Sequence, residues 1–475
     1  MGLGLHGGGL ESASFLLKQG ADVTVTDLRD SKILSPSIEK LEAVCSEHCR
    51  TGSIRYVLGR HDIDDFKNAG MVIKNPAVRP DSRFLQAARR IETDISLFLS
   101  EIHLRALNIR LTAVTGSKGK SSVASAMYWV LTHLREDSGT AYLGGNITKS
   151  PLAFLSTLKN GDDVVLELSS FQLGDLKGRL TEDGKSLLLQ PKTAVITAIM
   201  PDHLDRYKTM EEYINDKRVI YRGQNSGDCT IAANDDWGNS FLAETKARPL
   251  PYSLSPLPKG IAGAWLDGPD SPGLIRNDDG TVSELIPAAL SVIGLHQRQN
   301  LLAAGLALHS LGLPLKAIRE GLASFPGMEH RLEMFHKAGG ISFFNDSAAT
   351  VPQAAAAALG ALGTGHFSGG NVILVTGGTD KNLDFTPLLN AAHLAKTIIL
   401  LAGSGSKKIA ELLAGSNINF LGPFDSLEKA AKTALENAVS GDSVAFSPGC
   451  ASFEKFQNEF DRGEKWKETV RRIAG

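Results

Sequence analysis

Short runs of valine, isoleucine and leucine, each ending in a turn of glycine, serine or another small residue, recur along the chain and constrain its fold most. Amphipathic stretches long enough for helices separate them, as in "SVASAMYWVL" and "GLHQRQNLLAAGLALHSLG". A strand that is apolar on both sides must be covered on both faces, so the alternation predicts mostly parallel sheets flanked by helices. The runs fall into three groups over 475 residues, which predicts three consecutive α/β domains: residues 1–92, 93–326 and 327–475.

In the first group, "GLGLHGGGLESASFLLKQGA" reads as a glycine turn running into a helix. "DVTVTD" then reads as a strand ending in Asp27, about twenty residues beyond the turn, which is a Rossmann-like pattern. Almost no strand precedes the glycines: either the first strand is degenerate or the reading begins after it. The second group opens near Thr93 with the helix "TDISLFLSEI" and continues through the strands "LTAV", "DVVLEL" and "TAVITAIM". In the third, "ISFFND", "NVILVTGG", "TIILLAGSG" and "SVAFSPG" each end in a small or polar turn, where open α/β sheets bind ligands. "AAAAALGALGTG" (354–365) reads as a helix and tail of biased composition.

The stretch "AVTGSKGKSSV" (113–123) carries the clearest chemistry. A strand, a glycine turn and a helix follow one another, so backbone amides and the helix N-terminus form a positive concavity for phosphate. Gly116, Ser117, Lys118, Gly119 and Ser122 supply that loop, Lys120 would reach the β/γ-phosphates of a nucleotide, and Ser121 could ligate Mg²⁺. The loop is tighter than the usual P-loop spacing. Glu167, at the end of "DVVLE", stands where a carboxylate ligand for Mg²⁺ is wanted, or is a surface glutamate. His203 in "PDHLDRY" is a second ligand candidate or a packed histidine, and Lys217 in "YINDKRVIY" has by itself the profile of a solvated helical lysine.

A formal net charge of −2 gives no support for a nucleic-acid or membrane surface, and no apolar run reaches the roughly 18 residues a membrane helix needs. No secretory leader pattern opens the sequence. Cys45, Cys49, Cys229 and Cys450 are too scattered for a disulfide scaffold, which points to a reducing cytoplasm. The cluster "CSEHC" (45–49) could be drawn as a metal site but lacks a second ligand pair.

Taken together, "TGSKGKSS", "LELSSFQL", "DHLDRY…YINDKRVIY", "GLHQRQN", "HRLE", "NDSAAT", "GGTDKNLDF" and "SPGCASFEKF" resemble the Mur ligase family, in its glutamate-adding branch, over essentially the whole chain. The resemblance implies a Rossmann-like UDP-binding domain, a central P-loop ATPase-type domain and a Rossmann-like C-terminal domain. It implies that ATP phosphorylates the carboxylate of UDP-N-acetylmuramoyl-L-alanine and that the amine of D-glutamate displaces phosphate, in a cytoplasmic monomer acting on small molecules. Lys120 and Ser121 keep their phosphate-loop roles. Glu167 and His203 match the magnesium ligands, and Lys217 the lysine carried as a carbamate. His296, Asn300, Arg331 and Asp346 match the rest of the ATP site. Gly4, Leu5, His6, Asp27 and Arg29 match the uridine-diphosphate pocket, so the glycine turn would hold UDP rather than NAD. Asn146 and Gln172 match positions near the muramoyl group, and Thr350, Lys381 and Ser452 positions gripping the incoming amino acid.

Four positions depart from the pattern: Ala348 where a lysine is usual, Val351 and Gln297 for asparagines, and Glu459 for an aromatic residue. They keep two rivals in play: a Mur-type ligase with another amino-acid acceptor, and a nucleotide-binding protein that has lost ligase activity. A hinge is expected near 325–330.

Overall fold

The computed structural model describes residues 1–4, 7–48, 52–134, 139–147, 149–203, 206–268, 271–363, 371–415 and 418–475. The predicted class holds: helices alternate with strands throughout, in three successive sheet regions. By contacts the chain groups into two compact units, Met1–Ala289 with Gln299–Ala323, and Leu290–Arg298 with Ser324–Gly475. The helix Leu295–Ser310 is therefore shared between them.

The first unit begins with two separate parallel strand pairs, Val23–Asp27 with Ile54–Leu58 and Val72–Ile73 with Ile91–Glu92. Residues 1 and 2 run between them: Gly2 N–H donates to Thr26 O (2.8 Å), the Met1 ammonium to Ile73 O (2.8 Å), and Asn75 N–H to Met1 O (3.1 Å). Among the described residues no strand is assigned ahead of the glycine turn.

The rest of the unit is a nine-stranded sheet, ordered Val282–Ile286, Gly273–Arg276, Gly263–Leu266, Arg248–Ser253, Cys229–Ala233, Thr193–Ile196, Arg110–Thr115, Asp163–Glu167, Ala141–Gly145. The pairings are parallel except the two made by Gly273–Arg276. Its central strands are buried along their whole length, as near-continuous apolar runs require. Thr93 caps the helix Asp94–Leu104 through a reciprocal box with Ser96. A buried ion pair, Lys74 Nζ to Asp175 Oδ2 at 2.6 Å, ties the first strand pairs to the helix Ser170–Leu176, and Arg179 bridges to Glu92 at 2.7 Å.

The second unit is built on a six-stranded sheet, ordered Glu333–Ala338, Ile341–Asn345, Ser443–Phe446, Val372–Thr376, Ala395–Leu401, Phe420–Phe424. Only the first pair is antiparallel. Along Val372–Thr376, Val372 and Leu374 enter one apolar cluster and Ile373 and Val375 the other, so helices cover both faces. The alanine-rich stretch forms the helix Pro352–Gly363; the tail from 364 lies outside the described residues. Cys45, Cys229 and Cys450 are free thiols, and Cys49 lies outside the described residues. Among the described residues no helix is long and apolar enough to cross a membrane.

Candidate active site

The strand Arg110–Thr115 delivers the phosphate-loop sequence to the C-terminal edge of the nine-stranded sheet, and the helix Lys120–His133 leaves from it. Gly116 and Gly119 have φ of 146° and 92°. A Cβ at Gly116 would run into Thr197 Oγ1 and one at Gly119 into Asn300 Oδ1, so only glycine fits both places. The loop is pinned from the next strand's end: Ser117 N–H donates to Ala198 O (2.8 Å), and Ser117 Oγ contacts Met200 O and Tyr213 Oη, each at 2.8 Å. Lys120 Nζ folds back on the carbonyls of Gly116 and Ser117, both at 3.1 Å. The loop's own carbonyl oxygens thus hold the Lys120 ammonium.

A cavity of about 410 Å³ opens beside this loop. Lys120, Asn146, Gln172, His203 and Lys217 line it, five residues that the sequence spreads over nearly a hundred positions. Glu167 is buried behind the lining residue Asn146, with Oε1 accepting from Asn146 Nδ2 at 2.9 Å. Its other oxygen, Oε2, is buried without a hydrogen-bond partner. A buried lone carboxylate oxygen is costly unless something cationic meets it.

Lys217 is not the solvated lysine its sequence context suggests. It ends the helix Met210–Lys217 and is buried, its ammonium donating to Gly116 O at 2.8 Å and lying 4.5 Å from the centre of the Tyr213 ring. Burial, helped by the charge of Lys120, pulls its pKa from 10.5 down to about 7. His203 has φ of 54°, is exposed, and lies 4.8 Å from the Phe171 ring, with Nε2 3.9 Å from Asp202. Gln172 serves partly as structure: its Oε1 accepts from Ser169 N–H at 3.0 Å in a capping box of the helix Ser170–Leu176. Ser121 lies in the first turn of its helix beside Lys120.

Sequence reasoning missed Asp94, Asp202 and Tyr213, which also line the cavity. Asp94 was legible only as a helix-opening residue; it is buried, its carboxyl is pushed up by desolvation, and its Oδ1 has no hydrogen-bond partner.

At the first strand pair, Gly4 N–H donates to Asp27 Oδ2 (3.2 Å), and Arg29 donates to Asp27 Oδ1 from its backbone (2.9 Å) and from Nε (3.2 Å). Burial pushes the Asp27 carboxyl up, but these donors together hold it below the ordinary value. Gly4, Asp27 and Arg29 are therefore together; Leu5 and His6 lie outside the described residues.

In the second unit, predicted residues gather at the C-terminal ends of the parallel strands. Asp346 follows Ile341–Asn345, accepts from Leu332 N–H (3.0 Å) and from Ser447 Oγ (2.6 Å), and burial pushes its carboxyl up to about 7, against the charge of Arg331. Lys381 is exposed, 4.6 Å from the Phe453 ring. Ser452 is buried with Oγ unpartnered. Thr350 closes the loop that carries Ala348, whose N–H donates to His330 O at 3.0 Å. Arg462, unnoticed in the sequence, is wholly buried and donates to Ser347 O (2.8 Å), Cys450 O (3.0 Å) and Ala451 O (3.1 Å), lashing these loops together. Glu459 opens the helix Glu459–Ala474, its carbonyl accepting from Ser347 Oγ. His296 lies in the first turn of the helix Leu295–Ser310 within the second unit, whereas Asn300, Gly119's neighbour, belongs to the first. Glu329, His330 and Glu464 also approach one another, but Lys467 Nζ lies 2.6 and 2.7 Å from the two carboxylates and neutralises them.

Comparison with known proteins identifies the family and the fold. Residues 114–308 match the family model of the Mur ligase middle domain, and residues 330–450 that of the Mur ligase glutamate ligase domain. The chain is 38% identical to the UDP-N-acetylmuramoylalanine--D-glutamate ligase of Treponema pallidum (strain Nichols), covering 100% of this chain and 97% of the relative. It is also 38% identical to the protein of the same name from Roseiflexus sp. (strain RS-1), covering 99% and 97%. In fold it is similar to UDP-N-acetylmuramate-alanine ligase MurC from Thermotoga maritima (TM-score 0.59, 17% identity, 99% and 98% covered). It is likewise similar to MurF ligase from Thermotoga maritima, solved with ADP (TM-score 0.58, 16% identity, 95% of each chain covered). With family models over both of its larger regions and relatives above 30% identity along its full length, the chain belongs to the Mur ligase family.

Proposed function

We propose that the protein is an ATP-dependent ligase that adds D-glutamate to UDP-N-acetylmuramoyl-L-alanine through an acyl phosphate, in peptidoglycan precursor synthesis. The carrying observation is the gathering of Lys120, Asn146, Gln172, His203 and Lys217 around one cavity, with Asn146 bonded to the buried Glu167, whose other oxygen has no partner. The names of the full-length relatives supply the substrates.

A carboxylate is a poor electrophile because its leaving group would be oxide, and phosphorylation replaces oxide by phosphate. The task for the protein is then alignment and charge neutralisation. Gly116, Ser117, Lys118, Gly119, Ser121 and Ser122 would cradle the ATP phosphates, with Lys120 leaving its loop carbonyls for the γ-phosphoryl oxygens. Asn146 and Gln172 would orient the muramoyl substrate. Gly4, Leu5, His6, Asp27 and Arg29 would take the uridine diphosphate. His296, Asn300, Arg331 and Asp346 would complete the nucleotide site. Thr350, Lys381 and Ser452 would hold the incoming amino acid, Lys381 pairing with a carboxylate. The division into residues 1–92, 93–326 and 327–475 follows these three duties.

The residues present fit a Mg²⁺ ion, since Glu167 offers a buried carboxylate oxygen that lacks a donor. Glu167, His203, Ser121 and Lys217 would hold the ion, which when bound neutralises phosphate charge. An ammonium at Lys217 would oppose this, whereas a carbamate would favour it. A lysine with a pKa near 7 has the neutral amine that carbamate formation needs.

Phosphate release with Mg-ATP and UDP-N-acetylmuramoyl-L-alanine, measured over a panel of D- and L-amino acids, tests the proposal. Turnover with D-glutamate is expected. Turnover with another acceptor would trace to Ala348 and the 456–463 segment, and no turnover on folded protein would favour a binding protein without ligase activity.

A further inference from the structure

Arg331, which the proposed nucleotide site uses, stands in a strained piece of backbone. The residues on either side of it, His330 and Leu332, both have left-handed φ, 61° and 48°. For a residue with a side chain this conformation costs free energy, and it persists only where surrounding contacts over-determine it. On the Leu332 side the contact is its N–H, donating to Asp346 Oδ1 at 3.0 Å. On the His330 side the contacts belong to a polar cluster that the proposed reaction does not use.

His330 is buried. Its N–H donates to Glu333 Oε2 (2.9 Å), and its carbonyl accepts from Ala348 N–H (3.0 Å). Asn345 Nδ2 lies 2.8 Å from ring Nδ1 and 3.0 Å from Glu333 Oε2. An amide NH2 only donates, so Nδ1 accepts and Nε2 carries the proton, 3.3 Å from Glu464 Oε1. Three carboxylates, those of Glu329, Glu333 and Glu464, thus crowd this turn.

Lys467 answers them. It is buried on the helix Glu459–Ala474, with Nζ 2.6 Å from Glu329, 2.7 Å from Glu464 and 3.4 Å from Glu333. Burial works to lower its pKa, but the hydrogen bonds to Glu329 and Glu464 outweigh burial and hold the ammonium above its ordinary value. Glu329 and Glu333 flank the strained residues in sequence, whereas Glu464 and Lys467 come from the helix. The ammonium therefore ties the turn to the helix on both sides of Arg331. The two elements also touch directly: a Cβ at Gly463 would run into His330 Nδ1.

We infer that Lys467 is a positioning residue for nucleotide binding: through Glu329, Glu333 and Glu464 it holds the left-handed turn that presents Arg331. The inference rests on the ligase reading for the assignment of Arg331 to the nucleotide. Arg331 is itself exposed, so the turn, rather than packing of its own side chain, sets where the guanidinium points. Without the ammonium, three neighbouring carboxylates would repel one another, and the turn would lose the contacts that offset its strain.

The test is a double-mutant cycle on the full chain, with Mg-ATP affinity read by isothermal titration and folding checked by circular dichroism. Lys467→Met is expected to weaken binding about tenfold, and Lys467→Arg, which keeps the charge, to retain most of it. In the Arg331→Ala background Lys467→Met should weaken binding no further, because its effect runs through the side chain already removed. Under turnover the KM for ATP should rise while the KM for D-glutamate stays put. Wild-type affinity in folded Lys467→Met would overturn the inference, and so would losses that add across the cycle. Should Lys467→Met fail to fold, Glu329→Gln, at an exposed partner, is carried through the same cycle; it is expected to weaken binding about threefold, and additivity with Arg331→Ala would again overturn the inference. A wild type that binds no nucleotide would overturn the ligase reading and the inference together, whereas a binding wild type matched by Lys467→Met removes the inference alone.

Discussion

Lys217 and Asp346 are displaced from their usual ionisation in opposite senses, with opposite consequences for pH. The Lys217 amine titrates near 7 in the fold and near 10.5 when unfolded. Between those values the unfolded chain holds the extra proton, so this residue's contribution to stability grows as pH rises from about 7. Lys217→Ala is expected to lower the phosphate-release rate on the order of 100-fold and to recover part of it with added short carboxylates. A fully active Lys217→Ala would remove the carbamate from the proposal, as would the absence of a carbamate signal after ¹³C-bicarbonate labelling of the wild type. Asp346 runs the other way: its folded carboxyl titrates near 7 against 3.8 unfolded. The folded state then holds the extra proton, and stability falls as pH rises from about 4 to 7, by up to about 1.4 kcal/mol per pH unit. Urea unfolding at pH 5 and 8 should show a smaller pH loss for Asp346→Asn than for the wild type. The burial of Lys217 was illegible from its own neighbourhood, since "YINDKRVIY" says nothing of what the helix end is buried against. Its resemblance to a family motif carried the assignment.

At the scale of the element, strand–turn–helix order was readable because it depends on local chemistry: valine-rich strands, glycines where φ is positive, and Thr93 and Ser169 as caps. Gly119→Ala puts a Cβ on Asn300 and strains a left-handed φ, so this variant should melt lower and bind ATP more weakly, with isothermal titration as the check. The ion pair between Lys74 and Asp175 was not readable, because its partners lie a hundred residues apart and meet only when the Ser170–Leu176 helix docks. Lys74→Ala, which leaves Asp175 buried and unpaired, should cost roughly 3–5 kcal/mol of stability by chemical denaturation. Replacing both by apolar residues of similar volume should restore most of it.

For the whole molecule, the proposed reaction needs ATP, the muramoyl carboxylate and the amino acid within reach of one another, and residues assigned to them fall in both compact units. Small-angle scattering is expected to show a smaller radius of gyration with an ATP analogue and UDP-N-acetylmuramoyl-L-alanine than without; identical curves would count against closure. The sequence by itself determined the α/β class, the three sheet regions, the strand, glycine turn and helix around Gly116, and the family, because periodicity, turn chemistry and motif spacing are properties of neighbouring residues. Only the tertiary structure decided which distant side chains share a cavity. It left one oxygen of Glu167 without a donor and buried Lys217 against Gly116 and Tyr213. Burial and long-range pairing set these features, and both depend on how whole elements pack.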